Sequence, residues 1–221
     1  MPLVPVLRAA DLLSERPAGT SDDIHFTEAL AEAVIRRVTK PGEVVLDPFA
    51  GYGTTLVVAA RLGRRAIGVE LLPAHVELIR ALIGKTDARV IAGDARALAA
   101  LVREPIDLVL TSPPYMAGAN HPENPLNAYR TDDGDYAAYL RELGSIFGQA
   151  ARLLRPGGHL VVNVANVIGS DGRVTPLAGD LAPIIGEHVP LLGATTLEWD
   201  EPPHGLDGDY LLWFRKAGRA A

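Results

Sequence analysis

Residues 44–62 read VVLDPFAGYGTTLVVAARL, and this stretch decides the fold. Its apolar, β-branched start ends in Asp47 and is typical of a buried strand, while residues 56–62 have the composition of a helix. Between them, Gly51 and Gly53 form a Gly-x-Gly loop, which brings the backbone N–H groups of a helix start close to a ligand. The stretch therefore predicts the strand, loop and helix of a nucleotide-binding crossover.

The ligand of this loop is expected to lack phosphates. Leu56 occupies the position of the third glycine of the dinucleotide fingerprint, and Asp47 would repel a phosphate but could hold an ammonium. Glu70 ends the next predicted strand, where an acid commonly receives ribose hydroxyls, and Asp94 follows the third. Because parallel strands end at one edge of a sheet, these three acids would line that edge. This row of acids matches a ligand with an amino-acid end, a ribose and an adenine amine, which describes S-adenosyl-L-methionine.

A second motif, Thr111-Ser112-Pro113-Pro114-Tyr115, directly follows the apolar run of residues 106–110, which reads as another buried strand. Two consecutive prolines lack N–H groups and have a fixed φ, so the carbonyls around them are rigid acceptors. Ser112 adds a further oxygen and Tyr115 a flat aromatic face, a set that suits a planar ring with an exocyclic amine. The alternative interpretation is a tight turn that only closes the strand.

Composition excludes several classes of protein. The chain has 221 residues, 48% of them hydrophobic, and a net charge of −6. No apolar run approaches the roughly 20 residues of a membrane span, and the proline-broken start does not resemble a signal peptide. We therefore expect a cytoplasmic protein without a membrane partner. Because the chain has no cysteine, it has no disulfides, no thiolate metal sites and no thiolate nucleophile for methylation of a ring carbon. No pair of histidines has the i, i+4 spacing of a helical metal site.

Taken together, residues 47–55 and 111–115 resemble the DNA amino-methyltransferases, which methylate cytosine N4 or adenine N6 with S-adenosyl-L-methionine. Residues 24–27, residues 135–140 and residues 153–164 resemble further segments of that family. The resemblance implies a direct transfer of a methyl group to an exocyclic amine of a nucleobase. A serine at the first position of the second motif favours cytosine N4 in DNA.

The resemblance also implies the roles of individual residues. The implied catalytic residues are Ser112, Pro113, Pro114 and Tyr115. The implied cofactor-binding residues are His25, Phe26, Asp47, Pro48, Phe49, Gly51, Gly53, Thr54, Thr55, Glu70, Asp94 and Ala95. No metal ligand is assigned.

Strands that alternate with helices predict a doubly wound, mostly parallel α/β sheet with seven strands. The resemblance implies that this sheet is of the Rossmann-like methyltransferase type. Residues 195–199 and 210–215 are expected to form its C-terminal antiparallel hairpin. Residues 24–221 would form one methyltransferase domain, preceded by an irregular arm over residues 1–23. That domain occupies nearly the whole chain, so no separate target-recognition domain is expected.

The segments expected to face the substrate are both acidic. Residues 116–135 contain four acidic residues against one arginine, and residues 200–209 contain four acidic residues and no lysine or arginine. Because phosphates attract Lys and Arg, we expect weak binding of duplex DNA by this chain alone. A homodimer, a recognition partner or a pre-opened base would then assist binding. RNA, which presents unstacked bases, is the alternative polymer, and a non-catalytic cofactor-binding subunit is a further alternative.

Overall fold

The computed structural model describes residues 4–17, 26–114, 136–168, 172–201 and 206–218. Within them the helices are α1 (Ala9–Ser14), α2 (Glu28–Val38), α3 (Thr54–Arg61), α4 (Pro73–Ile83), α5 (Leu98–Leu101), α6 (Tyr136–Leu153) and α7 (Leu177–Gly186). The strands are β1 (Val44–Asp47), β2 (Arg65–Glu70), β3 (Ala88–Ala92), β4 (Ile106–Thr111), β5 (Leu154–Ile168), β6 (Val174–Thr175), β7 (Leu191–Thr196) and β8 (Leu206–Arg215). A short 3₁₀ helix, Ala95–Ala97, precedes α5.

The strands form one sheet in the order β3-β2-β1-β4-β5-β8-β7, with the two-residue β6 added to the end of β5. The first five strands of this order are parallel, while β8 is antiparallel to both β5 and β7. The predicted doubly wound, mostly parallel seven-stranded sheet with a C-terminal antiparallel pair is therefore confirmed. Because β1, β2, β3 and β4 run in the same direction, their carboxyl ends and the loops after them share one edge.

Each face of the sheet is covered by its own helices. One core cluster places α5, α6 and α7 against the sheet through residues such as Phe147 and Leu181. The other places α2, α3 and α4 against the opposite face through residues such as Ile35 and Ile79. Near-complete burial of β1 and β4 on both faces explains why their sequences are continuous apolar runs rather than alternating patterns.

The N-terminal arm is more regular than predicted. Leu7 is buried and forms a parallel bridge with Trp199. The N–H of Ala9, the first residue of α1, donates a 2.8 Å hydrogen bond to the carboxylate of Asp200. The expectation of an irregular arm is wrong for residues 9–14, because contacts nearly 200 residues away in sequence hold this short helix on the C-terminal part of the sheet.

Helix α7 had no clear sequence signal, because Pro183 lies inside it. Its buried Leu181 and Ile185 pack into the core, and such packing offsets the helix-breaking effect of an internal proline. A Cβ atom added at Gly144 would lie 2.6 Å from Ile184, so α6 and α7 approach closely at this point. In the part of the chain that the structure describes, no helix is both long and apolar enough to cross a bilayer.

Candidate active site

The loop after β1 is shaped by its glycines. Gly51 has φ of 54° and Gly53 has φ of 89°, both in the left-handed region that side chains rarely adopt. A Cβ atom added at Gly51 would meet only the Phe49 carbonyl, at 3.8 Å, so the space beside this backbone is open. A Cβ atom at Gly53 would lie 2.9 Å from Cγ1 of Ile79, so this glycine lets the loop pack on α4.

Asp47 is buried at the base of this loop, and its carboxylate joins three segments. Oδ1 accepts hydrogen bonds from the Thr111 hydroxyl at 2.6 Å and from the Phe49 N–H at 3.0 Å. Oδ2 accepts a 2.7 Å hydrogen bond from the Thr55 hydroxyl at the start of α3. Burial raises the pKa of Asp47 to about 6, although these three donors act in the opposite direction. The carboxylate therefore fixes the loop on β4 and α3.

Glu70, at the end of β2, holds the same loop from the other side. Its Oε2 accepts a 2.8 Å hydrogen bond from the Gly51 N–H. Its Oε1 accepts one of 2.8 Å from the Leu72 N–H and lies 3.7 Å from Nδ1 of His75. The backbone of the glycine loop is thus fixed by a carboxylate at the adjacent strand end, which sequence spacing alone could not indicate.

Asp94 follows β3 at the same edge of the sheet. Its carboxylate accepts hydrogen bonds from the backbone N–H of Arg96 at 2.8 Å and from the guanidinium of Arg96 at 2.7 and 2.9 Å. Burial opposes the shift, but the hydrogen bonds and charge of Arg96 hold the pKa of Asp94 below its usual value. Ala95 is buried beside it and begins the 3₁₀ helix.

Most of the remaining predicted cofactor residues in the described chain belong to the loop or to the helix start that follows it. Phe49 packs edge-on against Phe147 of α6, with ring centroids 6.3 Å apart. Pro48 is buried, and Thr54 is the first residue of α3. Phe26 is buried in the core cluster that contains residues of α2, α3 and α4. His25 and Tyr115 were also predicted as site residues, but both lie outside the described residues.

The second motif begins where β4 ends. Ser112 and Pro114 are partly exposed and Pro113 is buried. The carbonyl of Pro114 accepts a 2.7 Å hydrogen bond from the hydroxyl of Tyr139 in α6. Since Thr111 precedes Ser112 and contacts Asp47, the structure brings the two sequence motifs together at one edge of the sheet. The assignments of individual site residues to cofactor and catalysis stay predictions.

Two residues of this arrangement were not predicted as site residues. Thr111 stood within the second motif, but its hydroxyl gave no sign of a partner 64 positions away. Tyr139 lies one helical turn after Tyr136, and the two rings stack with centroids 6.1 Å apart. Two tyrosines spaced three residues apart on a helix were the available signal, although such a pair more often indicates core packing alone.

The acidic segment 200–209 differs in part from its prediction. Asp209 is buried, and its carboxylate accepts hydrogen bonds from Nδ2 of Asn163 at 2.6 Å and from Nε1 of Trp199 at 3.1 Å. Burial raises the pKa of Asp209 to about 6, against the effect of both donors. Asp209 is therefore an internal acid of the sheet and does not belong to a surface that faces a substrate.

Comparison with known proteins agrees with the resemblance seen in the motifs. Residues 14–81 match a family of DNA methylases, the N6 and N4 methyltransferases. A type II methyltransferase, M2.DpnII of Streptococcus pneumoniae, is 49% identical over 53 residues, which are 24% of this chain and 20% of that protein. The resemblance to the DNA amino-methyltransferases is confirmed. The match of this family covers Asp47, Gly51 and Glu70 but ends before Ser112.

A second relative of known activity acts on a small molecule. The 4-amino-L-phenylalanine/4-methylamino-L-phenylalanine methyltransferase of Streptomyces pristinaespiralis is 35% identical over 144 residues, which are 61% of this chain and 47% of that protein. The matches cover less than half of the length of this relative and of M2.DpnII.

Solved structures share the fold at low sequence identity. TrmN from Thermus thermophilus is 21% identical with a TM-score of 0.62, and the match covers 86% of this chain and 49% of TrmN. The magnesium protoporphyrin IX methyltransferase from Synechocystis PCC 6803, solved with bound S-adenosylmethionine, is 12% identical with a TM-score of 0.57 and covers 86% and 79%. These structures show that the fold is shared. The family of DNA methylases agrees with the cofactor expected from the sequence, S-adenosyl-L-methionine.

Proposed function

We propose that this chain is an S-adenosyl-L-methionine-dependent methyltransferase that acts on an amine attached to an aromatic ring, with cytosine N4 in DNA as the preferred target. The observation that carries the proposal is the 2.6 Å hydrogen bond from Thr111 to Asp47. It brings the glycine loop and the Ser-Pro-Pro segment side by side at the carboxyl edge of the sheet, where ligands of doubly wound folds bind. A cofactor site and an amine site would therefore be neighbours.

The residues at this edge fit the proposed cofactor. Gly51 presents backbone without a side chain toward open space, and Glu70 and Asp94 supply carboxylates at the next two strand ends. When bound, S-adenosyl-L-methionine supplies an activated methyl group. Because Asp47 is buried and engaged by three donors, its proposed part is to hold the loop.

The proposed part of the Ser-Pro-Pro segment is to bind and orient the amine. The Ser112 hydroxyl and the Pro113 carbonyl would each accept one amine hydrogen, which draws the nitrogen lone pair out of conjugation with the ring. A lone pair that is localised on nitrogen is available for methyl transfer. The two acceptor oxygens also stabilise the positive charge that develops on nitrogen, and this lowers the barrier to transfer. Tyr115 would stack on the ring.

A small aromatic amine is the second candidate substrate. It is favoured by the relative from Streptomyces pristinaespiralis, whose named substrates carry an amine on a benzene ring. An aniline nitrogen and cytosine N4 have the same need, because both lone pairs are conjugated with an aromatic ring. The site chemistry therefore suits both, and the choice between them depends on what surrounds the amine. RNA is the alternative polymer to DNA.

The deciding experiment supplies radiolabelled S-adenosyl-L-methionine to the purified chain with four separate acceptors. These are single-stranded DNA, duplex DNA, total RNA and 4-amino-L-phenylalanine, and mass spectrometry identifies each methylated product. We expect transfer to an exocyclic amine, with N4-methylcytosine from DNA as the preferred product. Product from 4-amino-L-phenylalanine alone would establish the second candidate. Cofactor binding without transfer to any acceptor would favour a non-catalytic subunit and contradict the proposal.

A further inference from the structure

The buried hydroxyl of Tyr139 contacts the segment that carries the proposed chemistry. Tyr139 is fully buried in the core between α6 and the sheet, and its hydroxyl lies 2.7 Å from the Pro114 carbonyl. Pro113 and Pro114 have no N–H groups, so this segment cannot be held by backbone donors of its own. A carbonyl is the group through which a neighbouring element can fix it, and Tyr139 donates to that carbonyl.

We infer that Tyr139 is a positioning residue for methyl transfer. By fixing the Pro114 carbonyl, it sets the orientation of the preceding peptide group and therefore of the Pro113 carbonyl and the Ser112 hydroxyl. Those two oxygens are the proposed acceptors of the amine hydrogens. This inference rests on the proposed function for its catalytic consequence, whereas the anchoring contact itself belongs to the structure.

The chemistry of the contact supports more than a packing role. A phenylalanine would fill the same space, while a buried hydroxyl must find a partner to offset the loss of hydration. The partner here lies 25 positions earlier in the chain, directly after the residue proposed to bind the amine. Because the side chain sits in a well-packed core with Phe147 and Leu143, the hydroxyl is a rigid point of attachment.

Tyr136 provides a matched control on the same helix. Its ring stacks on that of Tyr139, but its hydroxyl donates a 2.9 Å hydrogen bond to Asp180 of α7. Burial, together with this carboxylate, raises the pKa of Tyr136, so the hydroxyl keeps its proton as a donor. Both tyrosines can lose a hydroxyl without a change of ring volume, and the contact with the Ser-Pro-Pro segment belongs to Tyr139.

The test compares Tyr139→Phe and Tyr136→Phe with the wild type on the acceptor identified in the assay above. For Tyr139→Phe we expect kcat to fall roughly tenfold, as for one hydrogen bond that matters in the transition state, with the Kd of the cofactor unchanged within about twofold. Tyr136→Phe should keep kcat within about twofold. Equal kcat values for the two variants, or a loss of cofactor affinity that accounts for the slower reaction, would overturn the inference.

A second readout separates this inference from the proposed function. Amide hydrogen exchange at Thr111 and Ser112 should accelerate at least about threefold in Tyr139→Phe and stay unchanged in Tyr136→Phe, because local opening follows the loss of an anchor. If no acceptor is methylated, the proposed function fails while exchange still decides whether Tyr139 holds the segment. Unchanged exchange in a folded Tyr139→Phe variant would overturn the anchoring role, whatever the activity.

Discussion

The hydroxyl of Thr111 lies 2.6 Å from Oδ1 of Asp47, although 64 positions separate the two residues in sequence. This contact joins the carboxyl ends of the neighbouring parallel strands β1 and β4. It therefore couples the glycine loop to the Ser-Pro-Pro segment through a single buried carboxylate. A change at Thr111 should affect both parts of the site.

Thr111→Val tests this coupling. Valine has the shape of threonine but leaves the buried Asp47 carboxylate with one donor fewer. At pH 7.5 we expect the free energy of unfolding to fall by about 1.5–3 kcal/mol, the usual range for a hydrogen bond to a charged group. Urea unfolding measures this change, and Thr196→Val is its control, because Thr196 is exposed on the edge strand β7. A loss of the same size in both variants would mean that the Asp47 contact is not special.

Gly51→Val should weaken cofactor binding. Valine is strained at φ of 54°, and its side chain would occupy the open space beside the loop. Gly42 is the matched control, because it has φ of 84°, nothing within 4 Å of an added Cβ atom, and a position before β1 at the opposite edge of the sheet. Both valine variants should lose about 1–3 kcal/mol of stability through backbone strain.

Calorimetric titration with S-adenosyl-L-methionine distinguishes the two glycine variants. We expect the Kd to rise roughly tenfold or more for Gly51→Val, where backbone must approach the ligand, and to stay near the wild-type value for Gly42→Val. Unchanged affinity in a folded Gly51→Val protein would exclude this loop as the cofactor site.

The sequence predicted the strands best where each ends in a motif. β1 and β4 are buried on both faces, so their apolar runs stand out, and the chemistry that follows each marks its carboxyl end. The placement of the loop and of the Ser-Pro-Pro segment at one edge then follows from parallel pairing. The terminal hairpin was also visible, since β7 overlaps the first predicted strand in part and β8 contains the whole of the second.

Contacts between distant segments could not be predicted. The bridge between Leu7 and Trp199 depends on how the arm crosses the sheet, which no local pattern records. The contacts of Asp47 could not be predicted for a similar reason. The sequence places a carboxylate at a strand end, but its burial and its three donors depend on how β4 and α3 pack around it. The sequence therefore predicted where Asp47 lies better than what its carboxylate contacts.

Ser112→Ala should separate cofactor binding from chemistry. The Ser112 oxygen is proposed to interact with an amine that becomes more positive as transfer proceeds, so its loss should lower kcat by roughly tenfold to a hundredfold. The Kd of S-adenosyl-L-methionine should stay within about twofold of the wild type, because Ser112 is not proposed to contact the cofactor. Ser145→Ala, at an exposed position of α6, is the control for the loss of a serine hydroxyl. Parallel losses of kcat and cofactor affinity would argue against the assigned role.

Asp209 should make the stability of the fold depend on pH. Its pKa of about 6 in the folded protein lies above the ordinary value of 3.8, so the folded state holds this proton more tightly than the unfolded chain does. The stabilisation of the folded state that comes from this proton is present in full below about pH 4 and is lost as the pH rises to about 6. Asp47 acts in the same direction, with a pKa of about 6 as well. These two acids should therefore lower the free energy of unfolding between pH 4 and pH 6, each by on the order of 2 kcal/mol.

Asp209→Asn removes one of the two titrations, and Asp207→Asn, at an exposed position of the same strand, is its control. The absolute stability of Asp209→Asn should also fall, because an amide group must face either Asn163 or Trp199 with a donor against a donor. The informative quantity is therefore the slope of the free energy of unfolding against pH, measured by urea unfolding at several values from pH 4 to pH 7. We expect the share of the decline that Asp209 contributes, on the order of 2 kcal/mol, to disappear in Asp209→Asn and to persist in Asp207→Asn. A slope identical in both variants would show that Asp209 titrates near its ordinary pKa, and the hydrogen bonds from Asn163 and Trp199 would then stabilise its charged form about as much as burial destabilises it.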